Sequence, residues 1–131
     1  MNLHEYFRDK SGFGVISTSN NEGEVNSAVY AKPHINDDNT VAFIMRDRLT
    51  HNNINENPYA TFMFIEDSAG YKGVRLYLKK VKEDDNAELI AKMTRQSLSP
   101  EEDAAMGPKF IVYFQVEKAL KLVGGDDVVL D

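Results

Sequence analysis

A mainly β fold, an antiparallel barrel with peripheral helices, is what this sequence predicts, on three observations. Short apolar and β-branched runs recur between clusters of Gly, Asn, Asp and Ser, the pattern of strands joined by turns. Helical periodicity is confined to a few brief segments, so nothing marks the alternation of strand and long helix that builds a parallel sheet. Two runs, Thr40 to Met45 and Tyr59 to Ile65, have no polar face. Both sides of each must be covered, one by the core and the other by a helix or a second subunit. A chain of 131 residues with 42% hydrophobic content makes one domain, residues 1–131, with a real core and no room for a second.

The elements follow in order. Asn2 to Lys10 is a short helix in which Leu3, Tyr6 and Phe7 share a face, and Ser11-Gly12 ends it. Phe13 to Ser19 is a strand, Asn20-Asn21-Glu22-Gly23 a turn, and Glu24 to Lys32 the returning arm of the hairpin. Gly12-Phe13-Gly14 is a Gly-x-Gly ahead of a strand, the wrong context for a dinucleotide fingerprint, and reads as a turn. A second turn cluster, Pro33 to Asn39, precedes the strand Thr40 to Met45. Asp67-Ser68-Ala69-Gly70 turns the chain into Gly73 to Lys82, where Val74, Leu76 and Leu78 alternate with Arg75, Tyr77 and Lys79 as in a half-buried strand. Asp85 is the expected cap of the next helix, with Glu88 completing a capping box and Leu89, Ile90 and Met93 as the apolar stripe. Ser99-Pro100-Glu101-Glu102 starts a last short helix and Gly107-Pro108 stops it. Lys109 to Val116 is the final strand, and the tail from Lys118 fades through Gly124-Gly125 into acid.

Composition removes several function classes. The absence of cysteine excludes disulfides, thiolate nucleophiles and cysteine-held metal clusters. The amino-terminal MNLHEYFRDK has no apolar signal core and no segment approaches a membrane span, so a cytoplasmic location and no membrane partner are expected. A net charge of −6 argues against nucleic acid as the main partner. His4 and His34 stand alone, without metal-ligand spacing, and no metal site is expected. No Gly-x-Ser-x-Gly elbow supports serine hydrolase chemistry.

The most informative stretch is Val41 to Phe64, VAFIMRDRLTHNNINENPYATFMF: a buried strand, a basic turn, a short helix and a second buried strand. Arg46 and Arg48 fall where the first strand gives out, and Thr50 opens and caps the helix. Side-chain cations and helical N–H groups therefore converge as in a phosphate site. A plainer reading pairs the arginines with Asp47 or Glu56 as solvated turn residues. The basic run Lys72, Arg75, Lys79, Lys80 and Lys82 reads as a solvated barrel face.

The order of elements, with NSAVYA in the second strand and the strand, basic turn, threonine-led helix and Asn-Pro-strand unit after it, resembles the FMN-binding split-barrel family related to pyridoxamine 5'-phosphate oxidase. The resemblance covers nearly the whole chain, and the short bacterial FMN-binding proteins look closest in length. It implies a six-stranded antiparallel Greek-key split barrel with short flanking helices, FMN as cofactor, and a homodimer with the flavin near the subunit boundary. Carried onto this chain, the FMN phosphate falls to Arg46, Arg48, Thr50 and His51, with Asn53 behind them on the helix. Asn26, Ser27 and Ala28 match positions along the flavin ring and ribityl chain, and Met45 would lend backbone groups to the ring. Leu49 stands where several relatives carry a lysine, with Arg48 as the candidate substitute; which of Arg46 and Arg48 holds the phosphate stays open.

Two function classes remain. One is a small FMN-dependent oxidoreductase with a small-molecule electron donor or acceptor, which needs no catalytic acid of its own. The other is a non-catalytic FMN-binding or electron-carrier module; a relative binding haem or the deazaflavin F420 is a further alternative. True pyridoxamine phosphate oxidase activity is not expected, because that enzyme carries extra carboxy-terminal arginine-bearing motifs and this chain has an acidic tail there.

Overall fold

The computed structural model describes residues 1–94 and 98–131. The elements are α1 (Leu3–Asp9), β1 (Gly12–Ser19), β2 (Val25–Tyr30), β3 (His34–Ile35), β4 (Thr40–Arg46), α2 (Leu49–Glu56), β5 (Tyr59–Glu66), β6 (Gly73–Asp84), α3 (Ala87–Met93), α4 (Pro100–Ala105), β7 (Lys109–Lys121) and β8 (Asp127–Val128). Strands β1, β2, β4, β5, β6 and β7 are the six expected from sequence; β3 and β8, two residues each, bring the number among the described residues to eight. They escape sequence reading because two residues hold no alternation to detect.

All pairings are antiparallel, in the order β2-β1-β5-β6-β7-β4-β3, with β8 on β7. The hairpins β1–β2 and β5–β6 and the β6–β7 pair are neighbours in sequence among the strands, whereas β4 skips β5 and lies on β7, Phe43 opposite Val112. That displacement is the Greek-key feature. The edges of β2 and β4 carry no strand pairing with each other, so the barrel is split there, and the Tyr30 ring meets Phe43 edge-on at 6.0 Å across the gap.

Inside, Phe43, Phe62, Phe64 and Phe114 pack with Ile16, Leu76 and Leu78. Helix α1 closes one end: Asn2 Oδ1 accepts the Glu5 N–H at 3.0 Å, and Leu3, Tyr6 and Phe7 are buried against the barrel. Burial of these apolar side chains is the main stabilising term, roughly 1.5–3 kcal/mol for each large one. Gly12-Phe13-Gly14 is the start of β1 and not a turn; a Cβ on Gly14 would lie 2.2 Å from Phe62 Cζ, so the glycine is required by the phenyl ring beneath it.

The two unbroken apolar strands receive different treatment. Ala42 and Ile44 on the outer side of β4 pack with Leu89, Ile90 and Met93 of α3, the helical cover that sequence allowed for. The outer side of β5 and its neighbours is open: Tyr59 is 53% exposed, Val25 74% and Val29 75%. Helix α3 is capped by Asn86 and not by Asp85, because β6 runs on to Asp84 and the Asp84 carboxylate holds the Asn86 N–H at 2.8 Å, leaving Asn86 Oδ1 to accept from Leu89 at 3.0 Å. The tail is more ordered than its composition suggests, with β7 running to Lys121 and β8 folding back on Ala119 and Leu120.

Candidate functional site

Strand β4 delivers the chain to a tight turn in which the Arg48 N–H donates to the Arg46 carbonyl at 2.9 Å. Arg48 is then the N-cap of α2, in extended conformation and with no side-chain capping bond. The first helical bond runs from the Asn52 N–H to the Arg48 carbonyl, 2.9 Å. The N–H groups of Leu49, Thr50 and His51 therefore precede the helical ladder, and among the described residues none has a hydrogen-bond partner. An uncapped amino end of this kind, with a cation at the cap, is a donor-only surface suited to an anion.

Thr50 is not the cap that sequence suggested. It sits one turn-position inside the helix and is buried, because its hydroxyl is drawn to the barrel: Asn26 Nδ2 lies 3.4 Å from Thr50 Oγ1, and the Tyr30 hydroxyl shares a hydrogen bond with Thr50. Burial pushes the Tyr30 phenol above its ordinary pKa, against the opposing effects of the Thr50 bond and the Arg48 charge. Asn26, Tyr30, Arg48 and Thr50 thus form one cluster around the uncapped helix end. Tyr30 is absent from the sequence-derived set, yet the β2 alternation could have found it, since Asn26, Ala28 and Tyr30 share a face.

Several expected ligands are engaged elsewhere. Arg46 turns toward α4, where Nη1 donates to the Asp103 and Gly107 carbonyls at 3.0 and 2.8 Å and Nη2 to Asp103 Oδ1 at 2.7 Å. Its partner is neither Asp47 nor Glu56. His51 is buried, stacked on Phe110 with centroids 4.2 Å apart and planes 8° from parallel. Its Nδ1 is 3.1 Å from Asp47 Oδ1 and its Nε2 3.1 Å from Glu83 Oε1, so both ring nitrogens face carboxylates and not the helix end. Burial works against ionisation of Glu83, but the hydrogen bonds and charges of Lys80 and His51 hold its carboxyl below the usual range. Asn53 is buried and donates to Thr18 Oγ1 at 3.2 Å, fastening α2 to β1. Ser27 points to the outer face with its hydroxyl 2.8 Å from that of Ser17, whereas Ala28 packs against the core edge on the Asn26 side. The Met45 side chain is fully buried, and among the described residues its strand has no partner on the β3 side beyond Ala42.

Residues 3–122 match the family model described as pyridoxamine 5'-phosphate oxidase. This chain belongs to the pyridoxamine 5'-phosphate oxidase family. Among solved structures, an FMN-binding protein from Syntrophomonas wolfei is similar to it with TM-score 0.71 and 20% identity, covering 90% of this chain and 82% of that one. Group A Streptococcus HupZ gives TM-score 0.70 and 18% identity over 97% and 96% of the two chains. An F420 reductase gives 0.63 and 16% over 88% and 94%. At these identities the likeness is one of fold. No curated protein sequence matches.

In this pyridoxamine 5'-phosphate oxidase family chain, a cavity of about 570 Å³ opens between β4, α3 and α4, bordered by Tyr30, Phe43, Ile44, Arg46, Met93 and Lys109. It runs along the stretch of β4 that β3 leaves unpaired, so backbone groups of that edge are available to a ligand. Among the described residues no cluster of side chains could hold a metal. No helix among them is long and apolar enough to cross a membrane.

Proposed function

We propose that this chain is an FMN-binding flavoprotein acting as a small flavin-dependent oxidoreductase. The observation that carries the reading is the uncapped amino end of α2, where three helical N–H groups and the Arg48 cation have no competing acceptor among the described residues. The donor set fits a phosphate monoester: it contains a cation, amide N–H groups and the hydroxyls of Thr50 and Tyr30, while the nearby Asp47 carboxylate is engaged by His51. Arg48 is the phosphate arginine in this reading, since Arg46 is committed to Asp103. The family membership and the FMN-binding neighbour support FMN as the ligand.

When bound, FMN supplies the hydride or electron transfer. The protein's own residues do the rest. Arg48 and the α2 amides fix the phosphate end, Asn26 and Tyr30 orient what passes along β2, and the apolar walls at Phe43 and Ile44 exclude water from the adjoining cavity. A cavity of about 570 Å³ lies within the range of small-molecule sites and has room for more than a passive carrier needs. The F420 reductase neighbour keeps deazaflavin as a second ligand to test, because a phosphodiester would also suit the helix end.

The deciding experiment is to purify the protein, record its visible spectrum, identify any released chromophore by mass, and titrate the cofactor-free form with FMN, riboflavin and F420. FMN binding at least about tenfold tighter than riboflavin is expected, the scale of one charge-assisted contact. Equal binding of FMN and riboflavin would remove the phosphate site. Turnover of reduced nicotinamide with an added acceptor separates the enzyme from the electron-carrier module.

A further inference from the structure

We propose that the α2 anion site takes its phosphate together with a proton: His51 is the positioning residue that holds the proton, and Asp47 is the built-in competitor that His51 restrains. The proposal rests on the reading of the α2 end as the cofactor phosphate site and adds the control of its affinity.

The His51 ring has a carboxylate at each nitrogen. Nδ1 lies 3.1 Å from Asp47 Oδ1, and Nε2 lies 3.1 and 3.2 Å from the two oxygens of Glu83. A carboxylate only accepts and a neutral imidazole has one N–H to give, so in the neutral ring one of these contacts sets lone pair against lone pair. A proton on each nitrogen turns both into charge-assisted bonds. The ring is 5% exposed and stacked on Phe110, so it is held in place between the two carboxylates.

Few charged groups reach the ring among the described residues. Asp47 comes from the turn before α2, and Glu83 comes from β6 with Lys80, whose Nζ bonds Glu83 Oε1 at 2.6 Å. From β7 the neighbour is the uncharged Phe110 ring, and from α2 itself the Asn55 amide, 3.4 Å from Nε2. Arg46 and Lys109, at the facing ends of β4 and β7, are spent on Asp103. Asp47, His51, Glu83 and Lys80 sum to zero charge when the imidazole carries both protons, and to one negative charge when it carries one.

That negative charge has a definite place to go. Glu83 is 27% exposed and already bonded to Lys80, whereas Asp47 is 51% exposed and has His51 as its one hydrogen-bond partner among the described residues. When a ring proton leaves, the N–H that remains stays with the more buried carboxylate, and Asp47 is released. Asp47 immediately precedes the Arg48 cap, next to the helical N–H groups that no other described residue engages. A free carboxylate there competes with phosphate for the same donors and the same cation. Doubly protonated His51 therefore opens the site and neutral His51 closes it, so phosphate affinity falls as pH rises.

The test titrates FMN and riboflavin by calorimetry into the cofactor-free chain at about pH 7.5 and about pH 9, both above the second phosphate ionisation at about pH 6, so that the ligand's own charge stays fixed. FMN is expected to bind about threefold or more weakly at the higher pH, with riboflavin unchanged. Nitrogen NMR of the His51 ring over the same range should show its second proton kept to higher pH with FMN bound and not with riboflavin. Asp47→Asn should bind FMN tightly at both pH values, and His51→Gln weakly at both. Combining the two substitutions should restore tight binding, which a merely structural role of His51 does not allow. Equal FMN affinity at the two pH values, an equal fall for riboflavin, or an Asp47→Asn protein that keeps the parent's pH dependence would overturn the proposal. If His51→Gln does not fold, Asp47→Asn decides, since its side chain is half exposed. FMN bound no more tightly than riboflavin at either pH sinks the α2 reading and this proposal with it; a clear preference for FMN that ignores pH sinks this proposal alone.

Discussion

Arg48 and Arg46 are two positions apart, and their contrast shows how a residue type acquires a role. Arg48 stands at an uncapped helix end with an exposed side chain; Arg46, equally basic and equally close to the turn, is tied down by α4. Arg48→Ala is expected to weaken FMN binding by about 1.5–3 kcal/mol with little change in melting temperature, since it makes no capping bond in the free protein. Calorimetry with thermal denaturation checks both halves; an unchanged affinity would move the phosphate to backbone groups alone. The sequence showed that cations and a helix start meet here, because those residues are consecutive. It could not show that Arg46 would be claimed by Asp103, or His51 by Glu83, because those partners lie far along the chain and are set by the fold. Thr50 was misread as a cap for the same reason: its competing partners, Asn26 and Tyr30, belong to another strand.

At the level of elements, α4 has no buried residue and is secured by a carboxylate, whereas α2 combines the buried Ile54 with a carboxylate link. Glu83 joins β6 to α2 through His51, and Asp103 joins α4 to β4 and β7 through Arg46 and Lys109. The Lys109 and Arg46 hydrogen bonds hold the Asp103 carboxyl below its ordinary range, and Lys80 and His51 do so for Glu83 against the effect of burial. A depressed folded-state pKa contributes stability that is present above the ordinary carboxylate value and is lost as pH falls through the folded value. The melting temperature should thus hold from neutrality to about pH 5 and fall below about pH 4. Asp103→Asn should flatten that fall, and an identical acid profile in the variant would show that α4 is held some other way. Element existence was largely readable from turn residues and apolar periods. Boundaries were less so, as with β7, which continues past Val116 through Glu117 and Lys118 because β6 keeps pairing with it.

For the whole molecule, the outer face of the β2-β1-β5-β6 sheet is the unfinished surface. Val29, Val15 and Met63 lie in register across three strands, and beside them Ser27, Ser17, Thr61 and Tyr77 form a second row. A hollow of about 440 Å³ lined by Val25, Tyr59 and Tyr77 opens on the same face. An exposed apolar sheet face of this extent suits a twofold contact with a second copy, and Ser27 would then stand at the boundary. Light scattering at low micromolar concentration should give twice the chain mass, and Val29→Glu the mass of one chain. A single-chain mass for the parent protein would mean that this face stays open to solvent. The expectation of a second subunit came from two apolar strands; α3 accounts for one of them, so only β5 still argues for it.

The displaced position of β4 also governs the order in which the molecule can assemble. The β1–β2 and β5–β6 hairpins close short loops, but β4 has only β3, two residues long, until β7 is made. The Phe43–Val112 pairing closes a longer loop than the other strand pairs do, so this step should come late and limit the folding rate. During synthesis β4 emerges well ahead of its partner, with an apolar edge and no strand to satisfy it. Pulse-labelled hydrogen exchange during refolding is expected to protect the amides of Val41 and Phe43 together with Val112 and Phe114, after those of the β5–β6 hairpin. Early protection of β4 alone would mean that it first pairs with a strand it later has to leave.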